Sequence, residues 1–227
     1  MNDKSVKLIE CFSSYQGEGV DTGQKMLIMR FKTCNLKCPW CDTSVKMRIS
    51  NEARYYLSDI QETIDKDRCG IMITGGEPTV PKHFNEALML LNDLDYSIAN
   101  VESNGFNLLN LIKSVDETKN VHFTYSPKIF NAEDLRIAKE ITFDLLEEYS
   151  SVVYIKLVYQ YNAFINEYCR YLYDLCSESK YYDNKVWLMP EGVTREQLIK
   201  NSGSVIDACE QYKFNFSSRN HIIFGFI

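Results

Sequence analysis

Six apolar runs rich in β-branched residues recur along this chain, at residues 26–31, 71–74, 97–101, 121–124, 152–158 and 186–189, and helical spacing follows them. The clearest helix is predicted over 133–149, where Leu135, Ile137, Ala138, Ile141, Leu145 and Leu146 share one face beside acidic and basic positions. Others are predicted over 84–94, 164–175 and 194–212, the last with Thr194 as an N-cap for Gln197. Strand-then-helix repetition implies α/β architecture with a parallel sheet and helices outside, because parallel neighbours require a crossover and the crossover is right-handed. Six units leave a partial barrel and an open wound sheet as alternatives, and in both the ligand loops gather at the C-terminal ends of the strands. Residues 6–14 read as an extra N-terminal strand leading into a glycine-rich turn.

At 227 residues the chain suits one domain over 1–227 with a sizeable core. Its formal charge of -6 argues against general nucleic-acid or membrane-surface binding, which recruits phosphates through a basic excess. The N-terminal residues lack the apolar core of a secretory signal, and no run of about eighteen apolar residues suits a membrane span. A soluble, cytoplasmic protein is therefore expected. Of eight cysteines, Cys11, Cys69, Cys169, Cys176 and Cys209 are scattered through apolar segments and read as buried small hydrophobes.

The other three, Cys34, Cys38 and Cys41, stand in C-N-L-K-C-P-W-C after the first of the six strands. Three thiolates in so short a loop suit a four-iron cluster whose fourth iron is left open to a small molecule. A zinc site is the alternative, but zinc ligands usually come as C-x2-C pairs or with a histidine close by, and the next histidine is His83. Gly75-Gly76-Glu77-Pro78 follows the second strand, Glu102-Ser103-Asn104-Gly105 the third and Ser126-Pro127-Lys128 the fourth. The two glycines permit close backbone approach, and Glu77 offers a carboxylate to an ammonium group. Asn104-Gly105 is not a hairpin turn if a helix follows it.

C-x3-C-x2-C after a barrel-type strand, Trp40 just before the third cysteine and G-G-E-P after the next strand resemble the radical S-adenosylmethionine superfamily. That resemblance implies a partial (βα)6 TIM-type barrel and a [4Fe-4S] cluster on Cys34, Cys38 and Cys41. The open iron of that cluster chelates S-adenosylmethionine and cleaves it to a hydrogen-abstracting radical. It places Trp40, Gly75, Gly76, Glu77, Ser103, Asn104, Ser126 and Lys128 along the cofactor, with no catalytic side chain beyond cluster and cofactor.

A narrower resemblance runs nearly end to end. F-S-S-Y-Q-G-E-G, C-N-L-K-C-P-W-C-D-T, T-G-G-E-P, E-S-N-G, Y-S-P-K, I-K-L-V, L-M-P-E-G-V-T and R-N-H-I-I-F-G occur in the order of the 7-carboxy-7-deazaguanine synthase family. The family resemblance implies a lyase that contracts 6-carboxy-5,6,7,8-tetrahydropterin with loss of ammonia, on the route to queuosine. It implies Gln16, Gly17, Glu18, Arg30, Gly75 and His221 around the pterin and Thr43 on a magnesium ion. A flavodoxin-type or ferredoxin-type electron donor and a homodimer are implied with them. A flat heterocycle with an amide-like edge suits a carboxylate or carboxamide partner, and a substrate carboxylate suits a guanidinium fork. Other readings are a diverged radical enzyme on a related substrate, a glycyl-radical activase and a zinc-binding interaction module. Iron analysis separates the module from the enzymes: about four irons per chain mark the cluster and one zinc the module. Cys38→Ala is expected to abolish cluster binding and activity, checked by iron and sulfide content after anaerobic reconstitution.

Overall fold

The computed structural model describes residues 4–178 and 184–226. The chain divides into two compact units, Met1–Gln16 with Gly23–Phe123, and Gly17–Thr22 with Thr124–Ile227. The first unit contains β1 (Ser5–Leu8), β2 (Glu10–Tyr15), β3 (Lys25–Phe31), α1 (Ser44–Ile49), β4 (Ala53–Tyr56) and α2 (Leu57–Asp67). It continues through β5 (Gly70–Gly75), α3 (Phe84–Asp93), β6 (Ala99–Ser103) and α4 (Leu108–Ser114). β7 (Val121–Tyr125) starts in this unit and ends in the second, which holds α5 (Ala132–Tyr149), β8 (Val153–Tyr159), α6 (Ala163–Glu178), β9 (Val186–Pro190), α7 (Arg195–Tyr212), β10 (Asn215–Phe216) and α8 (Asn220–Phe224).

In the first unit β3 pairs in parallel with β5, and β5 with β6, while β2 runs antiparallel along the other edge of β3. A parallel strand covered on both faces needs apolar residues at consecutive positions, and Met26, Leu27, Ile28 and Met29 are all buried. Met26, Ile28 and Met72 form one cluster against Phe12 and Ile98. Because β3, β5 and β6 are adjacent and co-directional, the cysteine loop, Gly75–Pro78 and the segment after Ser103 leave from the same sheet edge.

In the second unit β8, β9 and β10 are parallel. Asn131 caps α5 by accepting from Glu133 N and Asp134 N. Thr194 is the N-cap of α7 as predicted, and the Gln197 side chain reaches back to complete a capping box. Among the described residues no helix is long and apolar enough to cross a membrane.

The α/β class and the six predicted strands are found with shifts of one or two residues, but several elements differ from expectation. The single strand expected over 6–14 is two: β1 pairs antiparallel with β4, whereas β2 joins β3. One apolar run here serves two different partners, a distinction that local pattern does not encode. α2 was not among the predicted helices, although Leu57, Ile60 and Ile64 line its buried face at helical spacing. Of the five dispersed cysteines, Cys69, Cys169 and Cys209 are buried, whereas Cys11 and Cys176 are only half-buried. Burial pushes the thiol pKa of Cys11 to about 11, Cys169 to about 12 and Cys209 to about 11, leaving them protonated at neutral pH.

The turn between β5 and α3 grips the exit of β3. Gly76 N donates to Phe31 O at 2.8 Å and Glu77 N to Thr33 O at 2.7 Å. His83, whose side chain is fully buried, stacks on Phe31 at a centroid distance of 4.6 Å and accepts from Thr33 N at 3.1 Å through Nε2. Accepting at Nε2 puts the imidazole proton on Nδ1, which lies 3.7 Å from Glu86 Oε2. A Cβ at Gly76 would stand 2.1 Å from Thr33 O and 3.0 Å from Cys34 N, so only glycine lets the turn close on the residues ahead of the cysteines.

Gly76→Ala is expected to cost about 1–3 kcal/mol in stability through this overlap, and to reduce iron incorporation while far-UV circular dichroism stays unchanged. Burial, with the neighbouring Lys82 charge, lowers the His83 pKa from 6.5 to about 4. A histidine depressed in this way contributes stability that is complete above pH 6.5 and is lost as pH falls through 4. Unfolding measured across that window is expected to show the loss, and His83→Gln, which keeps an acceptor but does not titrate, to reduce it.

Candidate active site

In the first unit a buried carboxylate joins the loops that leave β5 and β6. Glu77 is 1% exposed and accepts from Thr79 N at 3.1 Å, Thr79 Oγ1 at 2.7 Å, Ser103 Oγ at 2.7 Å and Asn104 N at 2.6 Å. Four donors compensate its desolvation. Three of these donors meet Oε1 and Asn104 N meets Oε2, so the carboxylate also ties the two loops together. The Ser103 hydroxyl is likewise engaged, donating to Glu77 and accepting from Gly105 N at 3.0 Å. α4 follows Gly105, so Asn104-Gly105 is a strand-to-helix turn, as the sequence suggested.

Asn104 carries this network to the cysteine loop. Its Nδ2 donates to Asn35 Oδ1 at 2.8 Å and lies 3.8 Å from Cys34 Sγ, which also accepts from Leu36 N at 3.4 Å. Two amide donors thus point at the first sulfur of the loop. All three loop cysteines are half-buried, and Cys41 Sγ is 3.5 Å from Thr43 Oγ1. Among the described residues, no group of three His, Cys, Asp or Glu side chains is gathered closely enough to hold a single metal ion. Three thiols on one half-buried loop, with amide donors directed at the first sulfur, fit a cluster ligated from one side. Trp40 is half-buried within the same loop.

Gly75 and Arg30 meet at the end of β3. Gly75 has φ 119°, and a Cβ there would approach Phe31 N and O at 2.4 Å and Arg30 Cγ at 2.6 Å. The Arg30 guanidinium is held by Glu10 at 2.7 Å. Gln16 is buried, closes its turn through Gln24 O and Gly23 N, and its Nε2 points to Glu102 Oε1 at 3.4 Å.

The second unit assembles the remaining residues around Glu18. Lys156 Nζ binds Glu18 Oε2 at 2.7 Å, Arg219 Nε binds Oε1 at 2.8 Å and His221 Nε2 lies 3.8 Å from Oε1. Burial alone would raise the Glu18 pKa, but the charges of Lys156, Arg219 and His221 outweigh it and hold the carboxyl well below the ordinary range. Gly17 packs on His221, where a Cβ would lie 2.3 Å from Nδ1, and its carbonyl accepts from Asn220 N at 3.0 Å. Gly19 N donates to Ser217 Oγ at 2.8 Å. Ser126 and Lys128 form their own turn, with Lys128 Nζ 2.6 Å from Ser126 Oγ and 2.9 Å from Ser126 O.

The expected residues thus fall into two sets. Cys34, Gly76, Glu77, Ser103 and Asn104 are linked in one unit, and Gly17, Glu18 and His221 in the other. Sequence reasoning assigned no role to His83 or Lys156. Lys156 carried a signal, since a lysine inside the apolar strand V-Y-I-K-L-V-Y must find an anion when buried. His83 carried none, because its role depends on the fold bringing α3 to the end of β3.

Residues 28–149 match the Radical SAM superfamily. Over 104 residues, 45% of this chain, the sequence is 38% identical to the 7-carboxy-7-deazaguanine synthase of Haemophilus influenzae, and that stretch spans 47% of the relative. A longer alignment of 203 residues, 87% of this chain, is 30% identical to the 7-carboxy-7-deazaguanine synthase of Aquifex aeolicus and spans 83% of it. The crystal structure of QueE from Escherichia coli has the same fold, with a TM-score of 0.53 at 20% identity over 96% of this chain and 95% of that one. With more than half of the sequence inside the superfamily match and most of the Aquifex relative followed, the chain belongs to the radical S-adenosylmethionine superfamily and, within it, to the 7-carboxy-7-deazaguanine synthase family.

Proposed function

We propose that this chain is a radical S-adenosylmethionine lyase. It contracts 6-carboxy-5,6,7,8-tetrahydropterin to 7-carboxy-7-deazaguanine with loss of ammonia, in queuosine and deazapurine biosynthesis. The observation that carries the reading is the gathering of the cysteine loop, the Gly75–Pro78 turn and the Ser103–Asn104 turn at one sheet edge, tied by Glu77, in a chain of this family. Substrate minus ammonia has the composition of the product, so the conversion is redox-neutral and the cofactor is regenerated rather than consumed.

Cys34, Cys38 and Cys41 would hold the cluster, which with S-adenosylmethionine supplies a hydrogen-abstracting radical when bound. The protein's part is positional. Trp40, Gly75, Gly76, Glu77, Ser103, Asn104, Ser126 and Lys128 border the cofactor, and Glu77 also braces that border through Ser103 and Asn104. Gln16, Gly17, Glu18, Arg30, Gly75 and His221 receive the pterin, with Glu18 supplying a charged acceptor for its amide-like edge. Receiving the substrate carboxylate on Arg30 requires the Glu10 pair to open or to be shared. Magnesium at Thr43, a flavodoxin-type or ferredoxin-type donor, a homodimer, a cytoplasmic location and one catalytic domain over 1–227 complete the reading.

Anaerobic turnover of the reconstituted protein with S-adenosylmethionine, magnesium, a reductant and the carboxy-tetrahydropterin, followed by mass spectrometry, tests it. Deazaguanine product in excess of cofactor consumed is expected. Cofactor cleavage without ring contraction would reject the substrate while keeping the superfamily.

A further inference from the structure

We propose that Lys156 and Arg219 are positioning residues that lock the Glu18 carboxylate in one orientation as the acceptor for the pterin. This inference rests on the functional reading above. Glu18 lies in the short Gly17–Thr22 segment, which contains no helix or strand to fix a side chain. Its orientation comes instead from three parts of the second unit: Lys156 in the middle of β8, Arg219 just ahead of α8, and Ser217, which accepts the Gly19 N–H. The two cations take different oxygens of the carboxylate, at 2.7 and 2.8 Å, so rotation about the last side-chain bond would break one or both contacts.

The locks are themselves locked. Lys156 is 2% exposed and starts from a strand paired with β9 at Trp187. Arg219 is 7% exposed and its Nη1 donates to Gly192 O at 2.7 Å, so its guanidinium is oriented before it meets Glu18. A purely stabilising role suits this geometry less well. Buried ion pairs contribute little net stability against apolar replacements, whereas they do impose a single geometry. A planar heterocycle recognised through its amide-like edge requires an acceptor held to within a fraction of an ångström.

The test is steady-state kinetics of the reconstituted enzyme on 6-carboxy-5,6,7,8-tetrahydropterin, with iron content and thermal midpoint confirming folding. Lys156→Met is expected to raise KM about tenfold or more while kcat changes less than about threefold, the signature of lost substrate positioning. Lys156→Arg restores most of the loss. Since Lys156 acts through Glu18, adding Glu18→Gln to Lys156→Met should cost little more, although Glu18→Gln alone is damaging. An unchanged KM in a folded Lys156→Met protein, or losses that multiply in the double variant, overturns the inference. If Lys156→Met does not fold, the same cycle with Arg219→Gln decides by the same criteria. A wild-type enzyme without ring contraction brings down the functional reading and this inference together; turnover with multiplicative losses brings down this inference alone.

Discussion

The buried carboxylate of Glu77 is the interaction on which the joined ends of β3, β5 and β6 depend. Removed from water, it must be compensated within the protein, and its donors come from its own turn and from the end of β6. The Glu77 backbone meanwhile holds Thr33 on the exit of β3. One residue therefore joins the ends of three neighbouring parallel strands, and Asn104 extends that join to the first cysteine.

Glu18 solves the same problem by other means. Glu77 is surrounded by neutral hydroxyl and amide donors, whereas Glu18 is matched by full charges on Lys156 and Arg219. Neutral donors suit a carboxylate that shapes a turn. Cations keep a carboxylate ionised despite burial. Two glycines extend this division of labour: Gly76 admits Thr33 and Gly17 admits His221, each at a distance that a Cβ would forbid.

Much of the fold was legible because its driving pattern is local. Consecutive apolar residues such as Met26 to Met29 mark a strand covered on both faces, and Thr194 with Gln197 marks a helix start through bonds within four residues. The misreading of residues 6–14 arises from partner choice, because β1 and β2 have similar apolar content but belong to different sheets. The contacts of Glu77 with Ser103 and Asn104 were equally hidden, since they join residues that lie 26 and 27 positions apart.

From its sequence alone this protein is an alternating α/β chain with three cysteines spaced for one cluster and a motif order that runs the length of a family. These are properties of residue type and spacing along one dimension. Tertiary structure decided that Glu77 faces Ser103, that Arg30 is held by Glu10, that His83 supports Thr33 and that Lys156 and Arg219 lock Glu18. Each of these contacts joins residues distant in sequence, and its strength depends on burial and ångström-scale geometry that arise only when the elements pack.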